Sequence, residues 1–208
     1  MIEICEVGPR DGLQTEKTIL STAHKITLIQ KLIDSGIKKI EVTSFVNPKI
    51  VPQMSDAKQL IKELPIVEDV IYTGLLLSRS GLERALTTNL THYNVVLAVS
   101  NTFNLKNAKR SVRQSLFELT AIIQEAKANN KYVNVTLGTA FGCPYEGEIA
   151  IDYLLTMAAR FIEAGVDEIT FADTTGLANP LKVEKTIKAY ERTFGTDIPL
   201  GLHFHNTR

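Results

Sequence analysis

Cysteine is scarce in this chain: Cys5 and Cys143 are the two among 208 residues, too few for a disulfide framework. Charge imbalance is missing as well, since 23 Lys and Arg offset 23 Asp and Glu. Without a basic excess, neither a nucleic-acid nor a membrane partner is expected, because both draw on positive surface charge. No apolar run approaches the roughly 20 residues that span a bilayer. The opening Ile2–Val7 alternates like a strand and lacks the charged-then-apolar plan of a signal peptide. These absences favour the cytosol, or its equivalent inside a prokaryote or organelle. No Gly-x-Gly-x-x-Gly follows the first expected strand, which counts against a dinucleotide-binding sheet. No linker-like or low-complexity stretch interrupts the chain, so residues 1–208 are expected to form a single domain.

What is present is an ordinary folded composition, 44% apolar and 22% charged, with β-like and helix-like patterns in alternation. Strands are expected over Ile2–Val7, Lys39–Ser44, Val70–Leu76, Tyr93–Val99, Tyr132–Thr139, Glu168–Asp173 and Ile198–His205. Between them, helices are expected from Ser21 to Gly36, then over Ser55–Leu64, Gly81–Thr88, Ser111–Asn129, Ile151–Ala164 and Pro180–Phe194. A loop carrying Asn101 and Asn104 should precede the longest of these helices. This rhythm indicates an α/β chain with a parallel sheet, and its regular spacing favours a (β/α)8 TIM barrel over a doubly wound sheet. Only about seven of eight strands are present. An open barrel would expose strand edges, so the expectation is a catalytic domain that is C-terminally incomplete.

In such a barrel, active sites form where strands end on their C-terminal side. The polar residues at those ends are Arg10 and Asp11, then Glu41, Thr43 and Ser44, then Ser100 and Asn101. Thr136 and Thr139 follow, then Thr170 and Asp173, and last His203, His205 and Asn206. His203 and His205 stand two apart on a strand, so both side chains point to one face and can converge on one metal ion. Asp11 can complete a two-histidine, one-carboxylate face on a divalent ion, with positions open for substrate oxygens. Mixed imidazole and oxygen ligation suits Mg²⁺, Mn²⁺ or Zn²⁺. Each residue also has an ordinary reading: Asp11 as a turn cap beside Gly12, Arg10 as an ion-pair partner, Glu41 and Asp173 as strand-end salt bridges.

The stretch Glu6-Val7-Gly8-Pro9-Arg10-Asp11-Gly12-Leu13-Gln14-Thr15-Glu16-Lys17 closely resembles the opening motif of 3-hydroxy-3-methylglutaryl-CoA lyases. Thr43-Ser44-Phe45-Val46-Asn47-Pro48-Lys49, Val51-Pro52-Gln53-Met54 and Phe141-Gly142-Cys143-Pro144-Tyr145-Glu146-Gly147 resemble later motifs of the same family. So do Asp173-Thr174 with Gly176, and Leu202-His203-Phe204-His205-Asn206-Thr207. The resemblance runs the length of the chain in order. It implies a metal-dependent TIM-barrel lyase that cleaves 3-hydroxy-3-methylglutaryl-CoA to acetyl-CoA and acetoacetate, as in leucine degradation and ketone-body formation. Asp11, His203 and His205 would be ligands of Mg²⁺ or Mn²⁺. Arg10 would stabilise the enolate, Glu41 would support that arginine and the metal site, and Asp173 would assist proton transfer. His203 would also serve in acid–base chemistry, and Gln14 and Ser44 would line the substrate pocket. Coenzyme A would enter as part of the substrate, and the compartment would be cytoplasmic in a bacterium or the mitochondrial matrix in a eukaryote. The family commonly forms homodimers, which no feature of this sequence requires.

Three departures qualify that resemblance. Family members carry, beyond this endpoint, a glycine-rich loop with a catalytic cysteine and then an asparagine metal ligand. Cys143 is not that cysteine, and its expected role is a small buried residue. Asn206 stands where the best-known members have aspartate, which leaves the acyl group open. The segment 101–110 also leaves the familiar pattern. Two alternatives share the barrel: a lyase for a related thioester such as citramalyl-CoA, and a Claisen-type condensing enzyme. A third, of another class, is an inactive fragment or assembly module.

Overall fold

A computed structural model describes residues 2–205. The chain divides into two compact units, up to Asn94 and from Val95 onward, and the division falls inside the fourth strand.

The first unit is built on β1 (Cys5–Glu6), β2 (Lys39–Ser44) and β3 (Ile71–Leu76), paired in parallel in that order. Helix α1 (Thr22–Asp34) begins where Ser21 Oγ accepts the His24 N–H, the N-cap expected of that serine. It ends before Gly36, whose φ of +96° is a conformation that few side chains tolerate. Helix α2 (Ala57–Glu63) follows a short 3₁₀ turn at Pro52–Met54. Ile29 of α1, Leu60 of α2, and Ile40 and Val42 of β2 are fully buried together and form the core beneath the helices. Residues alternate along a strand, so Glu41 and Thr43 face away from that core. Helix α3 (Arg79–Leu86) then leads into β4 (His92–Ala98). Two part-buried ties hold the loops between these elements. Lys25 Nζ donates to Gln53 O and Asp56 Oδ1, and Arg84 Nη2 donates to Phe45 O and Val46 O.

The second unit continues from β4 through α4 (Asn101–Ala108), α5 (Val112–Ala128), β5 (Tyr132–Gly138) and α6 (Ile151–Glu163). It closes with β6 (Glu168–Asp173), α7 (Pro180–Phe194) and β7 (Leu200–Phe204). β5, β6 and β7 pair in parallel, with Ala172 opposite His203 and Asp173 opposite Phe204. A capping box starts α5: Ser111 Oγ accepts the Gln114 N–H, and Gln114 Oε1 accepts the Ser111 N–H. The apolar interior includes Val135 and Leu137 of β5, Phe161 of α6, and Phe171 of β6. The Phe171 ring meets Tyr190 edge-on at 5.6 Å.

Strand order in the sheet follows the chain from β1 to β7, without the reversal that a doubly wound sheet requires. Two local expectations need correction. β1 pairs with β2 only at Cys5 and Glu6, and Ile2 and Ile4 before it stand 92% and 67% exposed. The loop expected at Asn101 and Asn104 is helix α4, capped by Ser100 Oγ on the Phe103 N–H and ended by Lys109 at a left-handed φ of 57°. Asn104 could enter that helix because its side chain is satisfied, donating to Arg110 O and Ser115 Oγ. The turn after β1 is a π-helical turn over Gly8–Gly12.

Candidate active site

Glu41 organises the first unit's polar cluster. It is 1% exposed, and a buried carboxylate needs charged or hydrogen-bonding partners. Arg10 Nε donates to its Oε1, and Asn94 Nδ2 donates to its Oε2 at 2.7 Å. The π-helical turn brings Arg10 there: the Arg10 and Asp11 N–H groups both donate to Val7 O, at 3.0 and 2.6 Å. Gly8 begins that turn close against the Glu6 side chain. Its N–H donates to Glu6 Oε1 at 2.6 Å, and a Cβ at this position would stand 2.8 Å from the same oxygen.

The guanidinium is shared. Arg10 Nη1 donates to Asp11 Oδ1 at 2.8 Å, and Gln14 Nε2 donates to that oxygen at 3.2 Å. One cation therefore sits between two carboxylates, and the Arg10, Asp11 and Glu41 side chains are 10%, 23% and 2% exposed. This group carries one formal negative charge in excess, in a setting with little water to screen it. Ser44, at the end of β2, buries its Oγ without a hydrogen-bond partner among the described residues, an arrangement that costs about 1–3 kcal/mol.

In the second unit, His203 and His205 lie on one face of β7 and beyond its end, as their spacing predicted. Their Nε2 atoms are 2.9 Å apart and their ring centroids 4.7 Å apart. Asp173, 3% exposed at the end of β6, accepts the Leu177 N–H at Oδ1 and the Ala178 N–H at Oδ2. A groove of about 770 Å³ runs beside α7, with Val183, Ile187 and Phe204 among its walls. Asp173 and His205 also line it. Thr139, just past β5, has φ of 56°, a strained value for a β-branched residue. Its N–H donates to Thr174 Oγ1, which anchors the strand end to the loop after β6.

Other strand-end residues serve the scaffold. Thr43 Oγ1 contacts Met54 Sδ, Ser100 caps α4, Asn101 Oδ1 accepts the Val112 N–H, and Thr170 Oγ1 donates to Asn134 Oδ1. Cys143 is 1% exposed and free, the small buried residue expected of it. Asn206 lies outside the described residues. Sequence reasoning missed two groups. Asn94 is a polar residue inside the apolar run of β4, and that placement was its only signal. Glu146 accepts the Asn101 and Thr102 N–H groups at the start of α4. Hydrogen bonding, led by the Thr102 side chain, holds its carboxyl below the usual carboxylate range. Among the described residues, no helix is long and apolar enough to cross a membrane.

Comparison with known proteins gives this geometry its context. The HMGL-like family matches residues 1–208. Hydroxymethylglutaryl-CoA lyase of Bacillus subtilis is 38% identical over 207 residues, covering 100% of this chain and 69% of the relative. (R)-citramalyl-CoA lyase of Chloroflexus aurantiacus is 34% identical, covering 100% of this chain and 68% of its own length. The solved structure of an HMG-CoA lyase from Acinetobacter baumannii, in complex with coenzyme A and 3-methylmalate, is 37% identical. It matches with a TM-score of 0.93 over 100% of this chain and 68% of its own. The fold is thus the parallel α/β fold of these TIM-barrel enzymes, seven strands of it lying within this chain. On the family match and on these relatives, the chain belongs to the HMGL-like family and is an enzyme of its lyase kind.

Proposed function

We propose that this protein is a divalent-cation-dependent carbon–carbon lyase acting on 3-hydroxy-3-methylglutaryl-CoA, with acetyl-CoA and acetoacetate as products. The observation that carries the reading is the guanidinium of Arg10, buried and fixed by two carboxylates at the end of β1. The similarity to the Bacillus subtilis lyase supports the choice of substrate.

A cation fits the residues on two grounds. The Arg10–Asp11–Glu41 group is one positive charge short of neutrality, and His203 and His205 present both Nε2 atoms toward each other. In this reading Asp11, His203 and His205 hold Mg²⁺ or Mn²⁺, with Zn²⁺ compatible with the same imidazole and carboxylate donors. When bound, such an ion lowers the pKa of the substrate hydroxyl and fixes its oxygens for reaction.

The remaining chemistry belongs to the chain. Loss of the hydroxyl proton turns that carbon into the ketone of acetoacetate. The C2–C3 bond breaks, and its electron pair moves into the thioester as an enolate. Arg10 commits two N–H groups to Glu41 and Asp11, which leaves others to donate to the developing enolate oxygen, a form of stabilisation worth a few kcal/mol per donor. His203 takes part in acid–base transfer. Asp173 assists through lone pairs left after each oxygen accepts one backbone N–H. Protonation of the enolate carbon completes acetyl-CoA. Gln14 steadies Asp11, and the buried hydroxyl of Ser44 serves a polar group of the acyl chain.

A second reading, cleavage of citramalyl-CoA, is favoured by the Chloroflexus relative. One assay separates them. With Mg²⁺ and each thioester in turn, the full-length protein is expected to release acetoacetate from the hydroxymethylglutaryl ester. Release of pyruvate from the citramalyl ester, without acetoacetate from the other, would replace the first reading with the second.

A further inference from the structure

We infer that Asn94 is a positioning residue for the lyase reaction: it fixes the plane of the Glu41 carboxylate and, through it, the direction of the Arg10 guanidinium. Asn94 sits within β4, between Tyr93 and Val95, and is 9% exposed. An amide has no apolar reason to be there, and leaving it unsatisfied would cost more than a valine in the same place. Its Nδ2 reaches Glu41 Oε2 at 2.7 Å, across the intervening β3. The nitrogen must be the atom facing Glu41, because the amide oxygen would meet a carboxylate lone pair.

The consequence follows from torsions. Rotation of a glutamate carboxylate about its last bond is broad, since that torsion has no sharp staggered wells. A single contact from Arg10 Nε to Oε1 would leave the plane free to rock, and the guanidinium would rock with it. The second anchor at Oε2 removes that freedom. β2 also carries a register shift between Glu41 and Thr43, so its own ladder is irregular beside the carboxylate. Asn94 therefore supplies from another strand a constraint that the β2 backbone does not. It need not touch substrate to do so.

The kinetic arm of the test rests on the lyase reading, while the spectroscopic arm does not. The Arg10 Nε–H, buried and donated to Glu41, should give a slowly exchanging resonance in the nitrogen-15 spectrum of the whole protein. In Asn94→Leu, similar in size but without a donor, that N–H is expected to exchange at least about tenfold faster. Turnover should fall about 10- to 100-fold in kcat, the range expected for losing a hydrogen bond to a charged group, with KM within about threefold. Asn94→Ser, smaller and polar, is the second variant should the leucine prevent folding, and the same result is expected of it. A folded variant with unchanged Arg10 exchange overturns the inference, whichever thioester the enzyme cleaves. So does faster exchange with unaltered kcat, because the anchor would then have no catalytic use. Failure of the wild-type protein to cleave either thioester would instead remove the lyase reading. The Arg10 exchange rate would still decide the anchoring.

Discussion

The ends of β2 and β7 are built in opposite ways. Glu41 is buried and held at both oxygens, and Arg10 is held in turn by Asp11 and Glu41. At β7 the two histidines are half-buried and contact each other. In the first cluster the protein's own hydrogen bonds hold Glu41 and Arg10, and they offset part of the cost of desolvating those charges. The second presents donors whose arrangement a ligand would complete. Substitution should therefore harm folding and chemistry together in the first cluster, and ligand binding more selectively in the second.

The largest effect is expected at Arg10. Arg10→Gln removes the cation between two carboxylates and leaves Glu41 buried without its charge partner. Stability should drop by about 3–5 kcal/mol, as is usual when one member of a buried pair is removed. Turnover should fall about 10²- to 10³-fold. Arg10→Lys should recover little, because a single ammonium cannot reproduce the planar fork that serves Glu41 and Asp11 at once. Urea unfolding and steady-state kinetics on the two variants check both parts. Full activity in Arg10→Lys would show that charge alone suffices and would blunt the contrast between the two strand ends.

The smallest effect is expected at Glu146, which lies in neither cluster. Hydrogen bonds from Thr102 and its neighbours lower its folded-state pKa below the ordinary glutamate value of 4.5. Its contribution to α4 is therefore present above that pH and lost as pH falls through the folded value. The Asn101 and Thr102 amides should exchange faster as pH drops below 4.5, after correction for intrinsic rates. Glu146→Gln should flatten that dependence with little change in turnover, since the carboxylate is largely solvated.

Much of this architecture was legible because each pattern had one physical meaning. Lys39–Ser44, Glu168–Asp173 and Pro180–Phe194 form where periodicity and the N1 proline placed them. α4 was hidden because its sequence, Asn-Thr-Phe-Asn-Leu-Lys-Asn-Ala, has little amphipathic character. Its stability comes from tertiary partners: the Ser100 cap, Glu146 and the buried contacts of Asn104. At the site, Arg10, Asp11 and Glu41 were visible as strand-end charges. Asn94 was not, because its partner is 53 residues away in sequence and no local pattern predicts that meeting. The scaffold duties of Ser100, Asn101 and Thr170 were equally hidden, since a polar residue at a strand end reads the same whether it faces a loop or a ligand.

Under the proposal, Asp11, His203 and His205 share one cation. The most direct test is Mn²⁺ titration of metal-stripped protein, followed by electron paramagnetic resonance without substrate. Asp11→Ala, His203→Ala and His205→Ala should each weaken Mn²⁺ binding by at least about tenfold, while Cys143→Ala should leave it unchanged. Wild-type affinity in folded His203→Ala and His205→Ala proteins would contradict the account.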